Sequence, residues 1–80
     1  MREITYYLVR RVNAFREAQY YCVTASGDPS TTENAKMAMR WLSHDPARQF
    51  ANHLGFWWTA VAVAFVGDEL CGLQPRILQN

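Results

Sequence analysis

Residues 56–66, FWWTAVAVAFV, decide how the rest of this chain is interpreted. The stretch has no charged residue, and Gly55 and Gly67 flank it. A helix that crosses a membrane needs about 20 consecutive apolar residues, so this stretch is too short to do so. No positively charged segment leads into it, so it does not resemble a secretory signal either. We therefore expect the stretch to be buried in a protein core.

Two conformations would bury residues 56–66. In a helix, one stripe would contain Trp57, Ala60, Val61, Ala64 and Phe65. In a strand, valine and phenylalanine would alternate with alanine, and the length of the stretch suits either conformation. We predict a central buried helix, because alanine favours helix over strand. Gly67 also stands where a helix C-cap is expected.

The composition predicts one small domain, residues 1–80, with ample material for a core: half of the 80 residues are hydrophobic and 14% are aromatic. The net charge of +1 gives no strong field for attracting polyanions. The two cysteines, Cys22 and Cys71, form no C-x-x-C motif. Reduced thiols in a cytoplasmic protein are the expected state, and a disulfide between the two is the less favoured alternative.

The segment before Gly27 is predicted to be helical over residues 2–25. Its apolar residues have helical spacing, and Asn13 could cap a second helix that begins at Ala14. A β-hairpin in residues 3–25 is the rival interpretation, because the segment is rich in β-branched and aromatic residues. The residues with helical spacing are Ile4, Leu8, Phe15, Ala18, Cys22 and Ala25.

Two further helices are predicted between Ser30 and Gly55. Residues 30–33, STTE, match a capping box, and an apolar stripe follows at Ala35, Ala38, Met39 and Leu42. Asp45 is predicted as the N-cap of the next helix and Pro46 as its first residue, and Gly55 would end that helix. Its stripe consists of Ala47, Phe50, Ala51 and Leu54. The predicted fold is therefore all-α, a compact bundle of four to five short helices, with an α+β fold that contains the N-terminal hairpin as the alternative.

The sequence offers little support for catalysis or metal binding. Cys22, Cys71, His44 and His53 have the side chains that bind zinc, but their spacing fits no compact zinc site. The chain contains no glycine-rich phosphate loop, nucleophile elbow or HExxH motif. We predict a protein that is not an enzyme and that has no cofactor and no metal.

Aromatic residues and arginines instead point to an interaction surface, because these types are enriched in interface cores. Trp41, Trp57 and Trp58 belong to the wider set, and the candidate partner-binding patch is Tyr6, Tyr7, Arg10, Arg11 and Tyr20. The expected partner is another protein or a second copy in a homodimer, and no membrane. A small nucleic-acid-binding protein is an alternative, against which the low net charge argues. A phage or mobile-element inhibitor of a host complex is another.

Three segments of the chain resemble a family of uncharacterised small helical bacterial proteins associated with type VI secretion or accessory gene clusters. They are residues 16–22 (REAQYYC), 38–46 (AMRWLSHDP) and 57–70 (WWTAVAVAFVGDEL). The resemblance spans residues 8–72, and the chain lacks that family's doubled glycine after the last segment. It implies an all-α fold and a bacterial, non-enzymatic accessory role. It transfers no catalytic residue. The function predicted from the residues themselves is a protein–protein interaction module that acts as an adaptor, accessory or inhibitory protein.

Overall fold

The computed structural model describes residues 2–68 and 72–78. Within these residues, five strands form one antiparallel sheet in the order β3-β2-β1-β4-β5. One α-helix and a short 3-10 turn lie between β3 and β4 in the chain. The strands are β1 (Arg2–Val12), β2 (Ala18–Val23), β3 (Pro29–Thr32), β4 (Thr59–Asp68) and β5 (Gly72–Ile77), the 3-10 turn is Ala35–Met37, and the helix α1 is His44–Leu54.

The predicted all-α bundle is wrong, and so is the central helix over residues 56–66, since Thr59–Asp68 is the strand β4. β4 lies between β1 and β5, and its middle residues are buried on both faces of the sheet. Val61, Val63, Ala64 and Phe65 are each at most 1% exposed. A strand covered on both faces is apolar without interruption, which is why this segment has the composition of a buried helix. The all-α fold implied by the family resemblance is wrong for the same reason.

The helical prediction for residues 2–25 is also wrong, and the alternative with a hairpin in residues 3–25 is closer to the structure. β1 and β2 are antiparallel, with Val12 opposite Ala18 and Arg10 opposite Tyr20. The β-branched and aromatic side chains of this segment favour the extended backbone. Asn13 therefore closes the turn of the hairpin and does not cap a helix.

The predicted helix after the capping box is wrong beyond one turn. Ser30 lies in β3, and it is Asn34 whose side chain accepts a hydrogen bond from Lys36 N at 3.0 Å to cap the 3-10 turn. The chain then runs extended, because its backbone bonds to two strands of the sheet. Met39 N donates to Tyr21 O at 3.0 Å, and Trp41 pairs with Tyr7.

The helix predicted to start at Asp45 and Pro46 is confirmed as α1. The predicted N-cap, Asp45, is wrong, because the helix begins at His44 and its N-cap is Ser43. Gly55 ends the helix with φ of 142°. Gly55 N donates to Ala51 O at 3.1 Å. The predicted stripe packs on the sheet: Ala47 and Ala51 are buried, while Phe50 and Leu54 are partly buried beside them.

The core has one layer on each side of the sheet. On the helix face, two aromatic contacts connect α1 to the sheet and to the extended segment. Tyr21 meets Phe50 edge-on at 4.7 Å between ring centroids, and Trp41 meets Phe50 in a tilted arrangement at 5.2 Å. On the opposite face, the 3-10 turn covers the larger side chains of β1 and β4. The buried residues of the helix face are Val9, Ala47, Ala51 and Trp58, and those of the opposite face are Leu8, Tyr20, Ala35, Ala38, Val61, Val63 and Phe65.

Gly67 allows the β4–β5 hairpin to close. A Cβ atom at this position would collide with the carbonyl oxygen of Gly72 on the paired strand. Any larger residue would therefore have to push the two strands apart. No helix in the described part of the chain has the length and apolar character needed to cross a membrane.

Candidate binding surface

Three chain segments meet at one end of the sheet. They are the last residues of β1, the turn that connects β1 to β2, and residues 55–58, which lead from α1 into β4. The strand register places them together, because Arg10 is opposite both Thr59 on β4 and Tyr20 on β2. This end of the sheet therefore carries side chains from residues that are far apart in sequence.

Large apolar side chains are exposed at this end. The exposed fractions are 54% for Val12, 83% for Phe15, 84% for Phe56 and 62% for Trp57. We call these four residues the hairpin-end surface. Single exposed apolar side chains are common on proteins, whereas a group of large ones marks an interaction site.

An ordered turn holds Phe15 in its exposed position. The side-chain oxygen of Asn13 accepts hydrogen bonds from Phe15 N at 2.9 Å and from Glu17 N at 3.0 Å. Asn13 N also donates to Glu17 O at 3.0 Å. Arg16 completes the turn with φ of 62°, a conformation that is uncommon for residues other than glycine. A surface held in this way loses little conformational freedom when it binds.

A second turn exposes Phe56 and Trp57 and buries Trp58. Trp58 N donates to Gly55 O at 3.1 Å, which closes the turn. Trp58 is 8% exposed and belongs to the helix-face core. The rings of Phe56 and Trp57 contact each other, with centroids 4.0 Å apart. The two exposed aromatic residues thus form one apolar projection.

A shallow groove of about 370 Å³ lies between the β1–β2 hairpin and Trp57, lined by Arg11, Val12, Asn13, Gln19 and Trp57. Arg11 is fixed within it. Its Nε donates to Gln19 Oε1 at 3.0 Å, and its guanidinium lies 4.9 Å from the centroid of the Trp58 ring. A guanidinium held by an amide and an indole is oriented for a planar acceptor such as a carboxylate.

The charge around the hairpin-end surface is predominantly positive. Arg10 and Arg11 are on β1, and Arg16 is on the turn. The nearby carboxylate, Glu17, accepts from the Asn13 side chain at 3.4 Å. Electrostatic complementarity would therefore favour a partner surface with acidic groups.

The five predicted patch residues do not form one surface. Tyr6, Arg10 and Tyr20 lie on the opposite face of the sheet, while Tyr7 and Arg11 lie on the helix face. Tyr20 is only 6% exposed. Tyr6 and Tyr7 are half-buried, the first against Phe65 and the second against His44, with ring centroids 5.6 Å apart in both pairs. The predicted patch residues that lie at the hairpin end with partly exposed side chains are Arg10 and Arg11.

Among the residues that the structure describes, no group of three or more metal-binding side chains is present. His44 and His53 lie at opposite ends of α1. Cys22 is a free, half-buried thiol on β2. The predicted alternative of a disulfide to Cys71 falls on a residue outside the described ranges.

The comparisons with known proteins give no relative: the chain matches no family model, and neither a curated protein nor a solved structure is significantly similar to it. Val12, Phe15 and Phe56 were not among the surface residues predicted from the sequence. Two signals were available: the Asn13 turn motif and the glycine before Phe56.

Proposed function

We propose that this protein is a non-enzymatic protein–protein interaction module that binds its partner through the hairpin-end surface. The observation that supports this proposal is the exposure of four large apolar side chains: Val12 ends β1, and Phe15, Phe56 and Trp57 lie on two hydrogen-bonded turns. Aromatic residues in such positions commonly supply most of the binding energy of an interface. An adaptor, an accessory protein and an inhibitor of a larger complex would all use a surface of this kind.

The chemistry of the surface supports a partner that offers an apolar pocket surrounded by carboxylates. Phe15, Phe56 and Trp57 need an apolar pocket, and Arg10, Arg11 and Arg16 need carboxylates around it. Rim charges of this kind mainly raise the association rate and set the orientation. The buried aromatic residues contribute the affinity, and truncation of such a residue costs about 2 kcal/mol or more, roughly a thirty-fold loss.

Capture of a partner from native host lysate at moderate salt tests this proposal when matched variants are compared. Phe15→Ser and Trp57→Ser should each abolish capture of the same stoichiometric protein. Met37→Ser is the control, because Met37 is 68% exposed but lies on the 3-10 turn. A photo-crosslinking residue at position 15 should then attach to the captured protein. Capture that all three variants retain would contradict the proposal.

A nucleic-acid-binding function is the second candidate, and it rests on the same neighbourhood of exposed rings and arginines. Bases stack on aromatic side chains while arginine contacts phosphate. The net charge of +1 weakens this alternative. Binding of a single-stranded oligonucleotide that falls steeply with salt and is lost in Trp57→Ser would favour it over a protein partner.

The compartment and the biological system in which the protein acts are proposed separately from its binding surface. We propose a cytoplasmic location, supported by a composition of two cysteines without a disulfide framework. An accessory role in a type VI secretion or related gene cluster, or an inhibitory role encoded by a phage, rests on the sequence alone. The genes that flank this one in its genome would distinguish between the two.

A further inference from the structure

The central strand of the sheet is paired along only part of one side. β4 accompanies β1 from Arg2 to Arg10. On the other side, β2 accompanies β1 only from Arg10 to Val12. Trp41 then pairs with Tyr7, through hydrogen bonds of 2.8 Å from Tyr7 N to Trp41 O and 2.9 Å from Trp41 N to Tyr7 O. Before Tyr7, this side of β1 has no paired strand among the described residues.

The direction of the backbone N–H and C=O groups shows which hydrogen-bond donors and acceptors are free along this edge. Tyr7 uses its N–H and C=O for Trp41, so these groups point away from β4. Backbone groups alternate in direction along a strand, so those of Glu3 and Thr5 also point away from β4. None of the described residues bonds to them, and both side chains are exposed. Two donors and two acceptors therefore lie along an open edge.

The outer strands β3 and β5 differ from this edge of β1, because each has a proline that removes one of its outward-pointing backbone N–H groups. Leu78 N bonds to Ala62 O at 2.9 Å, so alternation directs the nitrogen of Pro75 in β5 away from β4. Thr24 N bonds to Asp28 O at 2.9 Å, and the nitrogen of Pro29 in β3 likewise points outwards. Proline at such positions discourages the addition of another strand. The β1 edge has no such residue.

We propose that the Glu3–Thr5 edge of β1 binds an extended segment of a partner protein by β-strand addition. The side chains beside the edge define that segment. On the opposite face, Ile4 is half-buried and apolar, and at the same edge Leu42, which follows Trp41, is 84% exposed. On the helix face, Glu3 is acidic. The incoming strand therefore alternates apolar residues with basic ones, the basic side chain facing Glu3.

A second copy of the chain does not fit this edge in either of the two antiparallel registers in which Glu3 meets a free backbone partner, since the register centred on Thr5 sets Glu3 opposite Tyr7, which is already bonded to Trp41. Pairing centred on Glu3 sets Glu3 directly opposite Glu3 of the second copy, and like charges in that position are destabilising. Pairing centred on Ile4 sets Arg2 of the second copy directly opposite Tyr6, where the Arg40 guanidinium already lies 5.2 Å from the centroid of the Tyr6 ring, so two like charges would again be neighbours. The edge thus selects a different chain, and it is separate from the hairpin-end surface.

The test uses the full protein and the peptide acetyl-Val-Lys-Val-Lys-Val-amide as the probe. In NMR titration at millimolar peptide, the amide signals of Glu3 and Thr5 should shift and their hydrogen exchange should slow. The matched peptide acetyl-Val-Glu-Val-Glu-Val-amide should bind at least ten-fold more weakly. Absence of any shift at these amides, or equal binding of the two peptides, would overturn the proposal.

Two variants separate this edge from other surfaces. Thr5→Pro removes one outward donor and should abolish the response, whereas Thr31→Pro places the same residue on the outer edge of β3 and should leave it intact. If Thr5→Pro fails to fold, a protein with N-methylated Thr5, made by peptide ligation at Cys22, removes the same outward donor and should likewise lose the response to the peptide. Phe15→Ser should still bind the peptide. A wild-type dimer that Thr5→Pro converts to a monomer would show that a second copy occupies the edge, and would overturn the partner-strand proposal.

Discussion

The two halves of residues 56–66 differ in solvent exposure: the first half carries exposed rings and the second half is buried. Phe56 and Trp57 are 84% and 62% exposed, whereas Val61, Val63 and Phe65 are at most 1% exposed. Hydrophobicity does not distinguish them, since both halves are apolar and aromatic. The difference comes from position: the first half forms a turn at the end of the sheet, and the second half is covered on both faces. One apolar segment thus provides both core and candidate binding surface.

The largest effect is expected from the same substitution made in each half. Phe65→Ala should lower the free energy of unfolding by about 3–5 kcal/mol, because it leaves a cavity in the core. Phe56→Ala should change it by no more than about 0.5 kcal/mol, as is usual for exposed positions. Urea denaturation followed by far-ultraviolet circular dichroism measures both. Similar midpoints for the two variants would show that the halves do not differ as described.

A smaller effect should follow when the turn that supports the exposed half is weakened. Asn13→Ala removes the acceptor for Phe15 N and Glu17 N and should cost about 1 kcal/mol, the usual contribution of a hydrogen bond. Heteronuclear NOE values at the Phe15 amide should fall. Asn52→Ala on the exposed side of α1 is the control and should be neutral or slightly stabilising, because alanine is the better helix former. Equal destabilisation by the two variants would rule out a supporting role for the Asn13 side chain.

The smallest effect on stability is expected for Trp57→Phe. This variant nevertheless compares the exposed ring of Trp57 directly with the buried ring of Trp58. This variant should unfold within about 0.5 kcal/mol of wild type and lose most of the tryptophan fluorescence that acrylamide quenches. Trp58→Phe should instead remove emission that is poorly quenched, since Trp58 is 8% exposed. If both variants lose the same quenchable fraction, the assignment of one ring to solvent and one to the core is wrong.

These contrasts explain how much of the fold the sequence could predict. α1 was predictable because several local signals agree: the Asp45 and Pro46 start, the apolar stripe and Gly55. β4 was not, because its alanines favour helix when considered alone. The strand is stabilised by pairing with β1 and β5, and tertiary pairing of this kind overrides weak local propensity. Alternation of alanine with valine was the useful signal.

The candidate site was harder to predict, for a geometric reason. On a helix, residues 6, 7, 10 and 11 would share a side. In β1 the side chains alternate between the two faces, which separates Tyr6 and Arg10 from Tyr7 and Arg11. The surface described above depends on contacts between β1 and the segment that precedes β4, and no local pattern specifies that contact. The Asn13 turn could be predicted from the sequence. The exposed residues that lie next to this turn in the fold could not.

The pairing of β1 with β4 also has a consequence for folding kinetics. Thr59 and Arg10, which meet at the start of this pairing, are 49 residues apart in the chain. Closing so large a loop carries an entropy cost before any pairing energy is gained, and proteins dominated by such contacts fold slowly. During synthesis, β1 leaves the ribosome long before its main partner exists. Leu8 and Val9, which are fully buried in the finished fold, lack the cover of β4 on the nascent chain for that interval.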